Sequence, residues 1–117
     1  MRAHIFLCLL AYYVEWHMRE AWRELMFADC DQEAKASRDP VAPAQRSEAA
    51  MKKACSHTLD DGTPVHSFQT LMQELSTIVR NTCRAPNGAD DAPTFQITTT
   101  PMANQKGALD LINQIKM

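Results

Sequence analysis

The stretch that most constrains the fold runs from residue 3 to residue 27 and contains neither proline nor glycine. Residues 3–14 are apolar nearly all round a helix, which is typical of a helix enclosed by other elements. From Glu15 onward the pattern is amphipathic. The apolar residues that share one helix face are Leu7, Ala11, Val14, Met18, Ala21, Trp22 and Leu25. The pattern predicts a long N-terminal helix that needs a partner surface.

A signal peptide or membrane anchor is the alternative interpretation of this apolar segment. The run from Ala3 to Val14 is shorter than the roughly 20 residues that span a bilayer. It continues directly into charged residues, beginning with Glu15, and no small-residue cleavage site follows it. We therefore expect a cytoplasmic protein with no membrane partner.

The remaining elements are predicted from periodicity and from turn residues. Residues 31–38 can extend the first helix, giving a long helix over 1–38 that ends at Asp39-Pro40. Two short helices are expected within 39–75, at 44–57 and 65–75, with Thr63 capping the second and Pro64 at its first helical position.

The C-terminal part, 76–117, is predicted to form a β-hairpin and a terminal helix. The strands are expected from Thr77 to Arg84 and at 94–99, joined by a loop over 85–93. The terminal helix is expected to start at Thr100-Pro101 and to end near Ile115. The prediction is thus an α+β chain, mainly α, in which residues 1–117 form a single unit.

Candidate chemical groups are sparse. The four cysteines, at positions 8, 30, 55 and 83, form no CxxC pair, and we interpret them as reduced thiols. His4 and Cys8 lie four residues apart, but no further donors stand at metal-ligand spacing, so packing roles are favoured. The adjacent Asp60 and Asp61 are interpreted as solvated turn residues. Core packing is favoured over base stacking for Trp16 and Trp22.

Charge and motifs exclude some functions and leave others open. The 117 residues carry a formal net charge of −2, which gives no global electrostatic case for nucleic-acid binding. Local basic groups remain candidates for DNA contact. These are Arg2, Arg19, Arg23, Arg46, Lys52, Lys53, Arg80 and Arg84. No phosphate-binding glycine loop, GxSxG or HExxH motif occurs, so an independent enzyme is disfavoured.

The segment RAHIFLCLLAYYVEWHMREAW resembles the C-terminal helix of transposases of the insertion-sequence-4 type. The similarity continues through FADCDQEAKASRDPVAPAQRSEAA, HTLDDGTPVHSFQTLMQELSTIVRNTCR, TFQITTTP and NQKGALDLI. The resemblance implies the C-terminal part of an RNase-H-like DDE transposase, an enzyme of bacterial mobile elements that cuts and joins DNA. In that family three carboxylates hold Mg²⁺ in a two-metal site for phosphoryl transfer.

No catalytic residue carries over from the resemblance. The family's third carboxylate lies in a Tyr, Arg, Glu, Lys signature upstream of the region matched here, and neither that signature nor the two aspartate-bearing strands is present. Glu15, Glu20 and Glu24 do not fall at the catalytic position. We therefore expect no catalytic residue, metal site or cofactor in this chain, although Mg²⁺ is expected for the full-length parent.

The resemblance leads to a functional hypothesis with alternatives. The expected role is that of a non-catalytic transposase fragment, structural or DNA-contacting, with Met1 placed at an internal start of a truncated reading frame. Its apolar surface over 5–14 predicts self-association or binding to full-length transposase. The alternatives are a small interaction protein that binds or inhibits the transposase, and a residual DNA-binding module.

Overall fold

The computed structural model describes residues 2–86 and 91–116, and within them the chain is a mainly helical α+β structure. Helix α1 spans Arg2–Ala21 and is followed by a 3₁₀ turn over Arg23–Leu25. Three shorter helices follow, namely α2 (Gln32–Ser37), α3 (Glu48–Ser56) and α4 (Phe68–Leu75). Strands β1 (Arg80–Arg84) and β2 (Thr94–Thr98) precede the last helix, α5 (Ala103–Asn113).

The end of α1 differs from the sequence prediction. The helix stops at Ala21 instead of continuing to Phe27 or through residues 28–38, and α2 is a separate helix that begins after its N-cap, Asp31. The reason is tertiary contact, since the Met26 segment leaves the helix to pair with His66 in a parallel bridge. His66 N donates to Leu25 O at 2.9 Å, and Phe27 N donates to His66 O at 3.3 Å.

A small apolar core lies where the C-terminal end of α1 meets α4 and α5. Its buried members are Trp22, Met26, Leu71 and Ala108. The Trp22 ring packs against Phe68 at 5.9 Å between centroids, and its Nε1–H donates to Ala108 O at 2.9 Å. The indole therefore fills the core and has its one polar group satisfied, which joins α1 to α5.

Polar side chains fix the start of α5 against α4. The buried Gln105 amide donates to Glu74 O at 2.8 Å and to Thr77 Oγ1 at 2.9 Å. Its Oε1 accepts from Met102 N at 2.9 Å. The helix predicted to begin at Thr100-Pro101 therefore starts at Ala103, after Met102, because Gln105 satisfies the backbone amide there.

Helix α4 also starts later than predicted. Ser67 is its N-cap, and Ser67 and Thr70 exchange hydrogen bonds, with Thr70 N donating to Ser67 Oγ and Ser67 N donating to Thr70 Oγ1. Pro64, predicted at the first helical position, instead forms an antiparallel bridge with Thr58. Gly62, at φ +82°, makes the turn between them, as the Asp-Gly pair predicts.

The two strands form the predicted antiparallel hairpin. Arg80 faces Thr98 and Arg84 faces Thr94 in register, and the strands lie largely exposed on both faces. The first strand begins at Arg80 and not at Thr77, because Thr77 caps the end of α4 through its hydroxyl, which donates to Glu74 O. Part of the predicted loop over 85–93, residues 87–90, lies outside the described residues, as does Met1.

Candidate interaction surface

The first half of α1 carries a continuous group of exposed large apolar side chains. Every residue from position 2 to position 14 is exposed. Tyr12, Phe6 and Leu9 each expose more than 60% of their area, at 69%, 64% and 63%. Monomeric soluble proteins rarely expose contiguous apolar patches of this extent, and such patches mark binding surfaces. The molecule measures 69 × 45 × 22 Å, with this half of the helix outside the core.

Two opposite sides of α1 carry the apolar residues. The inner stripe consists of Leu7, Ala11 and Val14, and its helical spacing continues to Met18, which packs against the core. The outer seam lies about half a turn round the helix from the inner stripe. Its members recur at alternating spacings of four and three residues, namely Arg2, Phe6, Leu9, Tyr13, Trp16 and Glu20.

Aromatic rings order the middle of the outer seam. The His17 ring lies edge-on to both neighbours, 4.4 Å from the Tyr13 centroid and 4.9 Å from the Trp16 centroid. Such edge-to-face pairs limit the rotamers of the large side chains. The seam is therefore partly organised before any partner binds. His4 Nε2 and Cys8 Sγ, one turn apart near the N-terminus, lie 3.6 Å apart.

Two of the three predicted DNA-contact residues on and near α1 form ion pairs within the chain. Arg19 pairs with Glu15 at 2.7 Å, and its guanidinium lies 4.3 Å from the centroid of the Phe68 ring. Arg23 pairs with Glu20 and also donates to Asp29 O at 3.2 Å. Arg2 stands exposed at the helix N-terminus. Two of these three cations thus have an acidic neighbour that weakens their attraction for phosphate.

The lysines of α3 are also paired. Lys52 forms an ion pair with Asp60. Lys53 donates to Glu24 O at 3.2 Å and lies 3.4 Å from Cys30 Sγ, so it connects α3 to the segment after α1. In β1, Arg80 and Arg84 lie exposed at opposite ends of the strand. The eight predicted residues are therefore spread over three regions and do not form one basic face.

One cleft does bring basic groups together. It has a volume of about 880 Å³ and lies between the 3₁₀ turn, α2 and the start of α3. Arg23 and Arg46 line it, as predicted DNA-contact residues, and so do Lys35 and Arg38, which the sequence reasoning did not single out. The signal for these two was weak, because they lie in residues 31–38, which were predicted only to extend the first helix.

Acidic groups share the cleft and offset its positive charge. Asp29, Asp31 and Glu48 are among its lining residues. Asp29 accepts from Ser47 N at 3.0 Å and from Ser47 Oγ at 2.8 Å. The hydrogen bond from the Ser47 backbone amide, and then that from Asp31, lower the pKa of Asp29 below its ordinary value. This carboxylate stays ionised at neutral pH, so the cleft presents mixed charge.

The side chains present do not fit the magnesium site of the transposase family. Across residues 2–86 and 91–116, no three His, Cys, Asp or Glu side chains converge so as to hold a metal ion. The carboxylates of α1, namely Glu15 and Glu20, are instead paired with arginines. No step of metal-dependent phosphoryl transfer is assigned to these residues.

Comparisons with known proteins leave the family open. Neither the models of known protein families, nor curated protein sequences, nor solved structures gave a match to this chain. Among the described residues, none of the helices combines the length and the apolarity needed to cross a membrane. The all-round apolar half of α1 is therefore the feature that any functional proposal has to explain.

Proposed function

We propose that this chain is a non-catalytic C-terminal element of an insertion-sequence-4-type transposase. In this role the inner stripe of α1 packs on the RNase-H-like catalytic domain, and the rest of the chain braces that contact. DNA cleavage and strand transfer belong to the catalytic domain, which supplies the carboxylates and Mg²⁺. The same proposal puts the chain in the cytoplasm, where its four cysteines stay reduced.

The observation that carries the proposal is the continuity of the inner stripe with the core. Met18 and Trp22 pack inside the chain, whereas Leu7 and Val14, on the same side of the same helix, are exposed. Leu7 exposes 60% of its area. A stripe that is half covered indicates that a second surface continues the packing beyond α5. The resemblance of this helix to the transposase helix supports a catalytic domain as that surface.

A direct DNA role has less support than a packing role. Arg19, Arg23 and Lys52 form ion pairs within the chain. The cleft that joins Arg23 with Arg46 also holds Asp29 and Asp31. The proposal therefore assigns DNA contact to the assembled transposase rather than to this chain alone.

Co-purification tests the proposal directly. The tagged chain is mixed with a full-length transposase of the resembled type, and the retained complex is measured before and after Leu7→Glu. We expect the unmodified chain to bind and Leu7→Glu to lose binding at least tenfold, because a carboxylate cannot be buried unpaired in an apolar contact. The matched control is Leu9→Glu, an equally exposed leucine on the opposite side of α1.

Two results would overturn the proposal. One is no binding of the unmodified chain at micromolar transposase. The other is an equal loss of binding in Leu7→Glu and Leu9→Glu, which would indicate non-specific apolar binding by the whole helix.

The alternative function, an interaction protein that inhibits the transposase, uses the same surface. The two functions differ in their effect on transposition. For an inhibitor, an excess of the unmodified chain would lower transposition by the intact enzyme, and an excess of the Leu7→Glu chain would not.

A further inference from the structure

The outer seam of α1 is left without a partner by the proposed function, because that function uses only the inner stripe. We infer that the outer seam is a homodimer interface, in which α1 pairs antiparallel with α1 of a second copy. The inference does not rest on the transposase proposal. It rests on the order of residues along the seam, on the surface they expose and on the position of the core at one end of the helix.

The residues of the outer seam match those of a second copy of the seam that runs in the opposite direction. In an antiparallel pair centred at position 11, Arg2 lies opposite Glu20 of the second copy. Phe6 then lies opposite Trp16, and Leu9 lies opposite Tyr13. A two-fold axis repeats each contact, so both ends of the pair carry an arginine facing a glutamate. A parallel pair in register would instead place Arg2 against Arg2 and Glu20 against Glu20, which like-charge repulsion disfavours.

The alternating four- and three-residue spacing of the seam is that of a helix packed lengthwise against another helix. Side chains at this spacing keep one narrow face toward a neighbouring helix over several turns. The four central members are all large and apolar or aromatic, with Phe6 64% and Trp16 48% exposed. Tyr and Trp are enriched in such contacts because they bring a large area together with a polar edge.

The exposed area fits a dimer. An aromatic side chain has about 150–250 Å² to bury, so the four central seam residues together still expose roughly 500 Å² per copy. Ile5 and Tyr12 on one flank and Leu10 on the other add to this area. The exposed area available over two copies is therefore on the order of the approximately 1,000 Å² that a specific interface buries.

The rest of the fold leaves room for the pairing. The described residues after α1, at 22–86 and 91–116, follow the helix from its C-terminal end, where Trp22 enters the core. In the antiparallel register Met18 lies level with position 4 of the second copy, and it packs on the core from the side of α1 that faces away from the seam. Glu20, the last seam residue, is exposed and pairs with Arg23 through Oε1. Its other carboxylate oxygen can accept from Arg2 of the second copy.

A matched pair of variants tests the inference by sedimentation velocity at micromolar to 100 micromolar chain. We expect the unmodified chain and Leu7→Glu to sediment as dimers, and Leu9→Glu to be monomeric over the same range. Leu7 and Leu9 are exposed to similar extents, at 60% and 63%, so neither substitution disturbs the core. A monomeric unmodified chain would refute the dimer. Equal dissociation of the two variants would show that the seam is not the interface.

The orientation is tested by cross-linking with a short bis-maleimide, with the four native cysteines replaced by serine. We expect a mixture of Phe6→Cys and Trp16→Cys chains to form a cross-linked dimer, while neither variant cross-links alone. Efficient cross-linking of Phe6→Cys with itself would indicate a parallel pair and would overturn the register. A monomeric chain would refute the dimer but would not change the expected effect of Leu7→Glu on transposase binding. The two proposals can therefore be refuted separately.

Discussion

Trp16 lies on α1 and Trp22 is the first residue after it. The two side chains are six residues apart, yet their environments are opposite. Trp22 is completely buried and donates its indole N–H to Ala108 O, whereas Trp16 is 48% exposed and touches only the neighbouring His17 among the ring contacts described. The same residue type thus stabilises the chain at one position and offers surface at the other. The difference arises because α4 and α5 cover only the C-terminal end of α1.

The comparison teaches that apolar composition and internal packing are separate properties of a helix. The first half of α1 is the more apolar half, but the core contacts are made by Met18 in the amphipathic second half and by Trp22 and Met26 just after the helix. A helix that is hydrophobic all round needs covering on several sides, and the short elements that follow α1 do not supply this. The amphipathic half needs covering on one side only, which α5 and α4 provide.

Replacing the buried tryptophan is expected to have the largest effect. Trp22→Ala removes the main core side chain and leaves the Ala108 carbonyl without its donor, so we expect the free energy of unfolding to fall by about 3–5 kcal/mol. Urea unfolding followed by circular dichroism measures this, at a concentration where the chain is monomeric.

The matched control for Trp22→Ala is the other tryptophan. Trp16→Ala is expected to change the free energy of unfolding of the monomer by no more than about 0.5 kcal/mol. Similar losses of unfolding free energy in Trp22→Ala and Trp16→Ala would show that the two tryptophans are equally packed. This would contradict the difference between the two regions.

The second prediction concerns the polar contacts that hold α5 in place. Gln105→Ala removes the hydrogen bonds to Glu74 O and Thr77 Oγ1 and takes away the acceptor of Met102 N, so we expect a loss of about 1–3 kcal/mol. Thermal or urea unfolding measures it. Asn104→Ala, at an exposed position in the same helix, is the control and should be close to neutral. If the two variants were equally stable, α5 would not be fixed by these contacts.

The third prediction uses pH to probe the connection that follows α1. The hydrogen bonds from Ser47 and Asp31 lower the pKa of Asp29 in the folded chain relative to the unfolded one. The stabilisation is therefore present above the unfolded pKa, which is about 3.9, and is lost as pH falls through the lower folded pKa.

We therefore expect acid to destabilise the unmodified chain more steeply below about pH 4 than it destabilises Asp29→Asn. Unfolding free energies measured by urea at a series of pH values give both slopes. Asp110→Asn, an exposed carboxylate on α5, serves as the control and should keep the slope of the unmodified chain. Equal slopes for Asp29→Asn and the unmodified chain would contradict the role of Asp29.

The smallest effect is expected at the boundary between the two halves of α1. Glu15→Gln breaks the exposed ion pair with Arg19, so we expect a loss of less than about 0.5 kcal/mol at low salt. The difference should vanish in about 1 M NaCl, where the screening length is near 3 Å. A larger, salt-independent loss would mean that the packed region of α1 extends further toward its N-terminus than Met18.

Much of the fold follows from local sequence signals. The long first helix, the short helices, the hairpin and the terminal helix are confirmed as elements, because proline, glycine and periodicity mark them locally. The first and last residues of these helices and strands were predicted less well. The prediction that the first helix continues past Ala21 was wrong, since no glycine or proline marks the stop and the Met26–His66 bridge determines it.

The helix starts show the same limit. Thr63-Pro64 and Thr100-Pro101 have the composition of helix starts, but Ser67 with Thr70 and Met102 with Gln105 make the actual caps. The apolarity of residues 3–14 predicts that this part of α1 needs a partner surface, and the structure shows these residues exposed. The side that faces the core was predicted by the periodicity, since Met18, Trp22 and Leu25 belong to the predicted apolar face. That only the C-terminal end of this face is covered could not be predicted, because it depends on where α5 packs after a separation of more than 80 residues.

The hairpin formed by β1 and β2 has a consequence for the time scale on which parts of the chain open. Each strand has one neighbour only, and the base is closed by the bond from Thr99 N to Val79 O. A two-stranded ribbon with both faces wet is marginal in water, so its amides are expected to exchange with solvent long before those of α5 near Ala108. The hairpin can therefore open and re-form many times during the lifetime of one folded core.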